Sequence, residues 1–372
     1  MEKDKNLFFR TELLKWFTTN HRPMPWKGVR DPYIIWLSEI ILQQTTVAQG
    51  TAYFEKFCER YPSVSDLANA PSDDVMKMWE GLGYYSRARN LHATAKHISN
   101  DFKGIFPNTY DEILKLKGIG PYTAAAIASF AYDLPHAVLD GNVYRVLSRF
   151  FGIETPIDTT EAKHIFTELA NAVLDPKRPA DFNQAIMDFG ATHCTPSNPK
   201  CAQCPFQAHC SALKEDKVAI LPLKSKKMVR RTRFFNYLVV NEGDFVFIKK
   251  RLEKDIWLDL YEFPLIETDD LVESLDEHLL YMSTTMPYLP FAIKQLRFVK
   301  QSQPFQQLLT HQKIVATFWL FEHAKTDKIL IADPDTIGRG GNFLKIIQQD
   351  LKHYAFPKVI DIYLKEKVLT LF

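Results

Sequence analysis

The stretch Leu116–Asn142, LKGIGPYTAAAIASFAYDLPHAVLDGN, decides how the rest of this 372-residue chain is read. Helical patterns flank its two glycines, EILKL before and PYTAAAIASFAY after. Gly118 and Gly120 lack Cβ atoms, so the backbone there can take left-handed angles and approach another molecule closely. Pro121 sits where a first helical turn tolerates proline. The pattern predicts a helix-hairpin-helix. Free N–H groups at the start of its second helix, with Lys115 and Lys117 beside them, suit a phosphate oxygen. A plain αα-corner carries the same local signal. Asp140 follows and precedes an apolar helical pattern (Val143, Val146, Leu147, Phe150), the ordinary setting of an N-cap.

Working outward, the length favours two or three domains, and 46% apolar residues suffice for substantial cores. No uninterrupted apolar run approaches the roughly 18 residues that span a bilayer, and MEKDKNLFFR has no apolar signal-peptide core. A soluble, intracellular protein is expected. The net charge of +2 conceals a concentration: residues 221–233 hold Lys224, Lys226, Lys227, Arg230, Arg231 and Arg233 and no acid. Such a run meets phosphates or is simply a solvated linker.

Toward the N-terminus, LFFRTELLKWFTTN predicts an amphipathic helix, followed by a proline-broken loop carrying Arg22 and Trp26. Trp26 serves binding or caps the core. One helix is predicted through IIWLSEIILQQTTVAQGTAYFEKF. Glu39 is its odd member, because the apolar residues around it should raise its pKa by desolvation. Gln43 then shares its face. Short helices follow, with a Gly-Leu-Gly break before Tyr84 and Tyr85; with Arg87 and Arg89 these tyrosines form a base-stacking and phosphate-binding group, or pack in the core. FNQAIMDFGATHC predicts a helix carrying Gln184.

Four of the five cysteines, Cys194, Cys201, Cys204 and Cys210, are spaced C-x6-C-x2-C-x5-C. In a chain without a secretion signal they suggest a metal centre, and thiolate chemistry alone admits zinc or iron–sulfur. Cys58 reads as a half-buried helix residue. From Arg233 onward FFNYLVV, DFVFIKK and KIVATFWLFEH predict strands, and LVESLDEHLL and NFLKIIQQDL predict helices, hence a small α/β domain.

The hairpin followed by LDGNV.R resembles the helix-hairpin-helix DNA glycosylases of the endonuclease III superfamily, and SE.ILQQT resembles their adenine-specific, MutY-type members. The cysteine spacing is similar to that superfamily's [4Fe–4S] loop, and IWLDLYEFP to the segment that opens its Nudix-like domain. The resemblance implies a mainly α catalytic region at 1–220 with one [4Fe–4S] cluster at 194–210, a basic linker at 221–233, and an α/β Nudix-like recognition domain at 234–372. It implies that Glu39 protonates adenine, that Asp140 stabilises the sugar cation or a covalent intermediate, and that Tyr122 and Asn142 arrange the site. Arg22, Trp26 and Gln184 become base-pocket residues, Gln44 and Tyr84 wedge residues, Gly118 and Gly120 the DNA anchor. Lyase relatives carry lysine where Tyr122 stands, so a monofunctional glycosylase is expected. No glutamate-rich Nudix run follows Pro264, which implies binding rather than hydrolysis. Leu309-Thr310-His311 matches a loop, usually Phe-Ser-His, that reads 8-oxoguanine. The expected partner is duplex DNA with A opposite 8-oxoguanine or G, met by a cytoplasmic monomer without a membrane. The rivals are a lyase acting on oxidised pyrimidines and a non-catalytic lesion binder.

Overall fold

The computed structural model describes residues 2–225, 229–275, 291, 293–323 and 343–369. The helices are α1 (Glu2–Asn20), α2 (Pro32–Leu42), α3 (Val47–Arg60), α4 (Val64–Asn69), α5 (Ser72–Met78), α6 (Ser86–Asp101), α7 (Tyr110–Lys115), α8 (Pro121–Tyr132), α9 (Gly141–Phe151), α10 (Thr160–Val173), α11 (Pro179–Thr192) and α12 (Ser211–Lys214). Strands follow: β1 (Arg231–Glu242), β2 (Phe245–Lys250), β3 (Tyr261–Glu262), β4 (Leu265–Thr268), β5 (Leu296–Gln301), β6 (Phe305–Leu308), β7 (Gln312–His323) and β8 (Phe343–Ile347), then helix α13 (Lys358–Leu369). The chain separates into two compact units, residues 1–70 with 90–227, and residues 71–89 with 228–372. Residues 71–89, read from sequence as part of a continuous 1–220 region, thus group with the C-terminal unit.

The first unit is helical. Its interior is aromatic on one side, where Phe9 stacks on Phe206 at 4.8 Å and meets Phe150 and Phe182. It is small-residue on the other, where α8 buries Ala124–Ala128 completely or nearly so. The expected long helix from Ile34 is instead two. α2 stops at Leu42, Gln44 takes a positive φ of 54°, and Thr46 caps α3 by accepting from the Gln49 N–H. The break lets α3 turn back on α2 so closely that a Cβ at Gly50 would lie 2.7 Å from Leu42 Cδ2. Gln43, the residue that follows α2, donates to Thr123 Oγ1 at 3.3 Å.

The second unit is built on one sheet with β3-β2-β1-β7-β5 as its spine. β1 and β7 run parallel from Arg231↔Gln312 to Asn241↔Glu322; the remaining pairs are antiparallel, with β4 on β1, β6 on β7 and β8 on β2. Tyr363 of α13 stacks on Phe318 of β7 at 3.9 Å. Within NFLKIIQQDL the expected helix is absent from the described residues: Phe343–Ile347 pairs antiparallel with β2, and Gln348–His353 is a 3-10 turn. Of LVESLDEHLL, residues 271–275 are irregular and the rest lies outside the described residues. No described helix is long and apolar enough to cross a membrane.

Candidate active site and cysteine loop

A cavity of about 400 Å3 in the first unit is lined by Arg22, Trp26, Lys27, Glu39, Tyr122, Asp140, Asn142, Gln184 and Asp188, among others. Seven of these, Arg22, Trp26, Glu39, Tyr122, Asp140, Asn142 and Gln184, are site residues expected from sequence, and the fold gathers them. Glu39 reaches the cavity from α2 and is 7% exposed. Desolvation pushes its carboxyl up to about 7, the Asp140 carboxylate pushes the same way, and a hydrogen bond from Tyr122 opposes both. Burial, with Glu39 and Asp140 nearby, raises Tyr122 well above the usual phenol range. The Tyr122 hydroxyl therefore stays a donor to Glu39.

Asp140 caps α9, accepting from the Val143 N–H at 2.8 Å through one carboxylate oxygen and from Asn142 Nδ2 at 2.8 Å through the other. A cap of this kind stabilises a helix by about 1 kcal/mol, and here it fixes a carboxylate at the cavity wall. Trp26 is buried and packs edge-on to Phe54 at 5.2 Å, so it both fills the core and lines the cavity. Gln44 is exposed on the α2–α3 turn.

The hairpin forms as read. Gly118 has φ +79°, and a Cβ there would lie 2.6 Å from Asn90 Cβ, so this position requires glycine. Gly120 begins α8 without a side-chain cap, and nothing lies within 4 Å of its Cβ position. Lys115 and Lys117 are exposed on either side of Leu116.

Cys194, Cys201, Cys204 and Cys210 ring a void of about 30 Å3. Among the described residues no three His, Cys, Asp or Glu converge closely enough to hold one metal ion. Four thiols around one void suit four-thiolate ligation, which zinc and an iron–sulfur cluster share. Burial raises Cys204 to about 12, so its thiolate needs the positive charge of bound iron. Arg149, 3% exposed, donates to Cys194 Sγ at 3.5 Å and to the Thr195 and Pro196 carbonyls. Arg145 donates to the Cys194 carbonyl at 2.7 Å, the Gly190 carbonyl at 2.6 Å and Asn142 Oδ1 at 2.8 Å. Through Asn142 this continues to Asp140, so one buried arginine joins the cysteine loop to the candidate catalytic carboxylate. Sequence reasoning gave Arg145 no role, although it closes the LDGNV.R motif, and missed Arg149, whose only trace was a second cation four residues further along an apolar helix.

In the second unit Tyr84 is 45% exposed with a positive φ of 45°, whereas Tyr85 is buried. The Tyr84 hydroxyl hydrogen-bonds Thr310 Oγ1. Thr310 and His311 form the two-residue turn between β6 and β7, closed by the Leu309 N–H donating to the Gln312 carbonyl at 2.8 Å. The phosphate-binding reading of Arg87 and Arg89 is corrected. Arg87 is buried and donates to the Leu82 and Gly83 carbonyls; Arg89 donates to the Leu258 carbonyl and pairs with Asp259. Arg233, read within the basic run, pairs with Asp255 and Glu267.

A model of the HhH-GPD superfamily base excision DNA repair proteins matches residues 37–172, and the iron–sulfur binding domain of endonuclease III matches 194–210. An adenine DNA glycosylase of Buchnera aphidicola from Acyrthosiphon pisum is 32% identical over 319 residues, covering 85% of this chain and 90% of that protein. The chain belongs to the adenine DNA glycosylase family. The mouse adenine DNA glycosylase is 42% identical over 55% of this chain and 41% of its own length. A solved thermostable thymine-DNA glycosylase superposes with a TM-score of 0.54 at 32% identity, over 57% of this chain and 98% of that one. Endonuclease III bound to DNA shares the fold, with a TM-score of 0.51 at 22% identity, over 58% of this chain. As a member of this family the chain is a DNA glycosylase that hydrolyses the N-glycosidic bond of adenine, with DNA as its substrate. The family's [4Fe–4S] cluster accords with the iron–sulfur domain match at 194–210, the loop that contains Cys194, Cys201, Cys204 and Cys210.

Proposed function

We propose that the protein is a monofunctional adenine DNA glycosylase acting on adenine opposite 8-oxoguanine, and more weakly opposite guanine, leaving an abasic site. The observation that carries this is Glu39, buried with its carboxyl near 7, bonded by Tyr122 and sharing a cavity with Asp140. Loss of a purine passes through an oxocarbenium-like transition state, which needs an acid for the leaving base and a carboxylate near the sugar. Glu39, half protonated at neutral pH, gives its proton to an adenine ring nitrogen as the bond lengthens. Asp140, held by Val143 and Asn142, faces the positive charge that grows on the sugar, directly or as a transient covalent partner, until water adds its oxygen to C1′ and gives up a proton. Arg22, Trp26 and Gln184 hold the flipped base. Gln44 on its turn and Tyr84 in the second unit are each exposed, as residues that replace an extruded base must be. The hairpin glycines and the α8 N-terminus anchor phosphate. The cluster folds and positions its loop without entering the reaction. Tyrosine at 122 cannot form the imine on which strand nicking depends.

Cleavage of a labelled duplex with one A opposite 8-oxoguanine tests the reading. Strand breaks on the A strand, appearing only after alkali, are expected; breaks without alkali would revive a lyase, and no product would leave a binder.

The Thr310–His311 turn supports 8-oxoguanine recognition, since Thr310 offers a hydroxyl and His311 an exposed ring beside Tyr84. The double replacement Thr310→Ala, His311→Ala is expected to lower the preference for 8-oxoguanine over guanine while adenine removal continues. Unchanged preference removes the turn from the site. The sheet around it is compatible with a Nudix-like binding domain.

A further inference from the structure

Asp188 is a buried acid that the proposed chemistry leaves unused. It lies on α11, one turn after Gln184, and is 1% exposed. Its carboxylate accepts from Arg22 Nε at 2.8 Å, the Arg22 main-chain N–H at 3.2 Å and Lys27 Nζ at 2.6 Å. All three residues line the cavity that holds Glu39, Tyr122 and Asp140. Arg22 and Lys27 belong to the proline-broken stretch between α1 and α2, which has no ladder of its own; a turn bond from the Lys27 N–H to the Met24 carbonyl is short-range.

We propose that Asp188 is a positioning residue that clamps Arg22 and Lys27 against the wall of the base pocket, so that these two cations meet the ring-nitrogen acceptors of the extruded adenine. The inference rests on the glycosylase reading above and assigns Lys27 to the substrate as well. Three observations favour a role in binding over one in folding. The neighbouring α11 positions that serve the core are apolar (Phe182, Ile186, Phe189), and an apolar residue would stabilise the site as well as a buried ion pair does. The clamp uses Arg22 Nε and its backbone, which among the described residues leaves both Nη groups as donors for a ligand. Burial lowers the Lys27 ammonium, and the Asp188 carboxylate bonded to it opposes that shift. Its negative charge further offsets the repulsion that two cations would exert on a base carrying Glu39's proton.

The test compares two duplexes, one with non-cleavable 2′-fluoro-2′-deoxyadenosine opposite 8-oxoguanine and one with a tetrahydrofuran abasic analogue there. Asp188→Asn keeps the shape and removes the charge. It is expected to lose about tenfold or more in single-turnover adenine release and in affinity for the fluoroadenosine duplex, with affinity for the abasic duplex changed by no more than about twofold. A loss that is equal on both duplexes, or no loss, overturns the proposal. If Asp188→Asn does not fold, the Arg22→Gln, Lys27→Met double variant, on the partly exposed loop, must give the same base-dependent signature. Failure of the wild-type protein to release adenine would instead remove the glycosylase reading.

Discussion

Glu39 shows what one residue can carry. Its apolar neighbours in α2 are visible in sequence, and they predict the desolvation that lifts its carboxyl to about 7. The acid form is the useful one, so the single-turnover rate should fall as pH rises through about 7, and the limb should vanish in Glu39→Gln together with activity. The same shift has a stability consequence. A carboxyl near 4.5 in the unfolded chain and near 7 when folded binds extra protons in the native state, so native stability falls between those pH values, by on the order of 3 kcal/mol. Glu39→Gln should therefore melt higher than wild type at pH 8 and gain little at pH 5. An equal change at both pH values would mean that the carboxyl is not held in this state. Asp188 was invisible by comparison. It is an acid on an amphipathic helix, and only the fold brings it to two cations some 160 positions away.

At the scale of elements, sequence patterns identified the helices that line the cavity and missed how they end or meet. The run from Ile34 has no proline or glycine between Leu42 and Val47, so nothing local announced the break at Gln43–Thr46. Phe343–Ile347 looked helical because five residues cannot separate a period of 2 from one of 3.6. The meeting of α9 and α11 is similarly silent in sequence, although it bears on Asp140 through Asn142. Gly190 lets the helices touch: a Cβ there would lie 2.7 Å from Asn142 Cβ and 3.1 Å from the Asn142 carbonyl. Asn142 and Arg145 link this contact to Asp140 and to the cysteine loop. Gly190→Ala must push backbone, so it is expected to cut adenine release by at least about tenfold while iron content stays at the wild-type level. Loss of iron in proportion to loss of rate would show that the contact serves the fold alone.

For the whole molecule, the consequential fact is that the C-terminal unit includes residues 71–89, which carry Tyr84. Within that unit Asp73 accepts from the Tyr261 hydroxyl at 2.9 Å and pairs with Lys250. Lys77 donates to the Tyr354 carbonyl at 2.9 Å, Glu80 accepts from the Phe356 N–H at 2.9 Å, and Arg89 donates to the Leu258 carbonyl at 2.7 Å. Tyr84 itself ends on Thr310. A chain ending at residue 227 keeps every residue of the cavity and the cysteine loop but strips 71–89 of these partners. Gly81, Gly83 and Tyr84, all at positive φ, then keep only bonds made inside the segment, such as those from Arg87 to the Leu82 and Gly83 carbonyls. Such a truncation should retain its iron and release adenine opposite guanine, lose its preference for 8-oxoguanine, and gain protease cleavage sites confined to 71–89. The two readouts must move together, because one set of bonds is responsible for both. Lost preference with residues 71–89 still protected would place recognition wholly in the Thr310–His311 turn, and the wedge would then owe nothing to the C-terminal sheet.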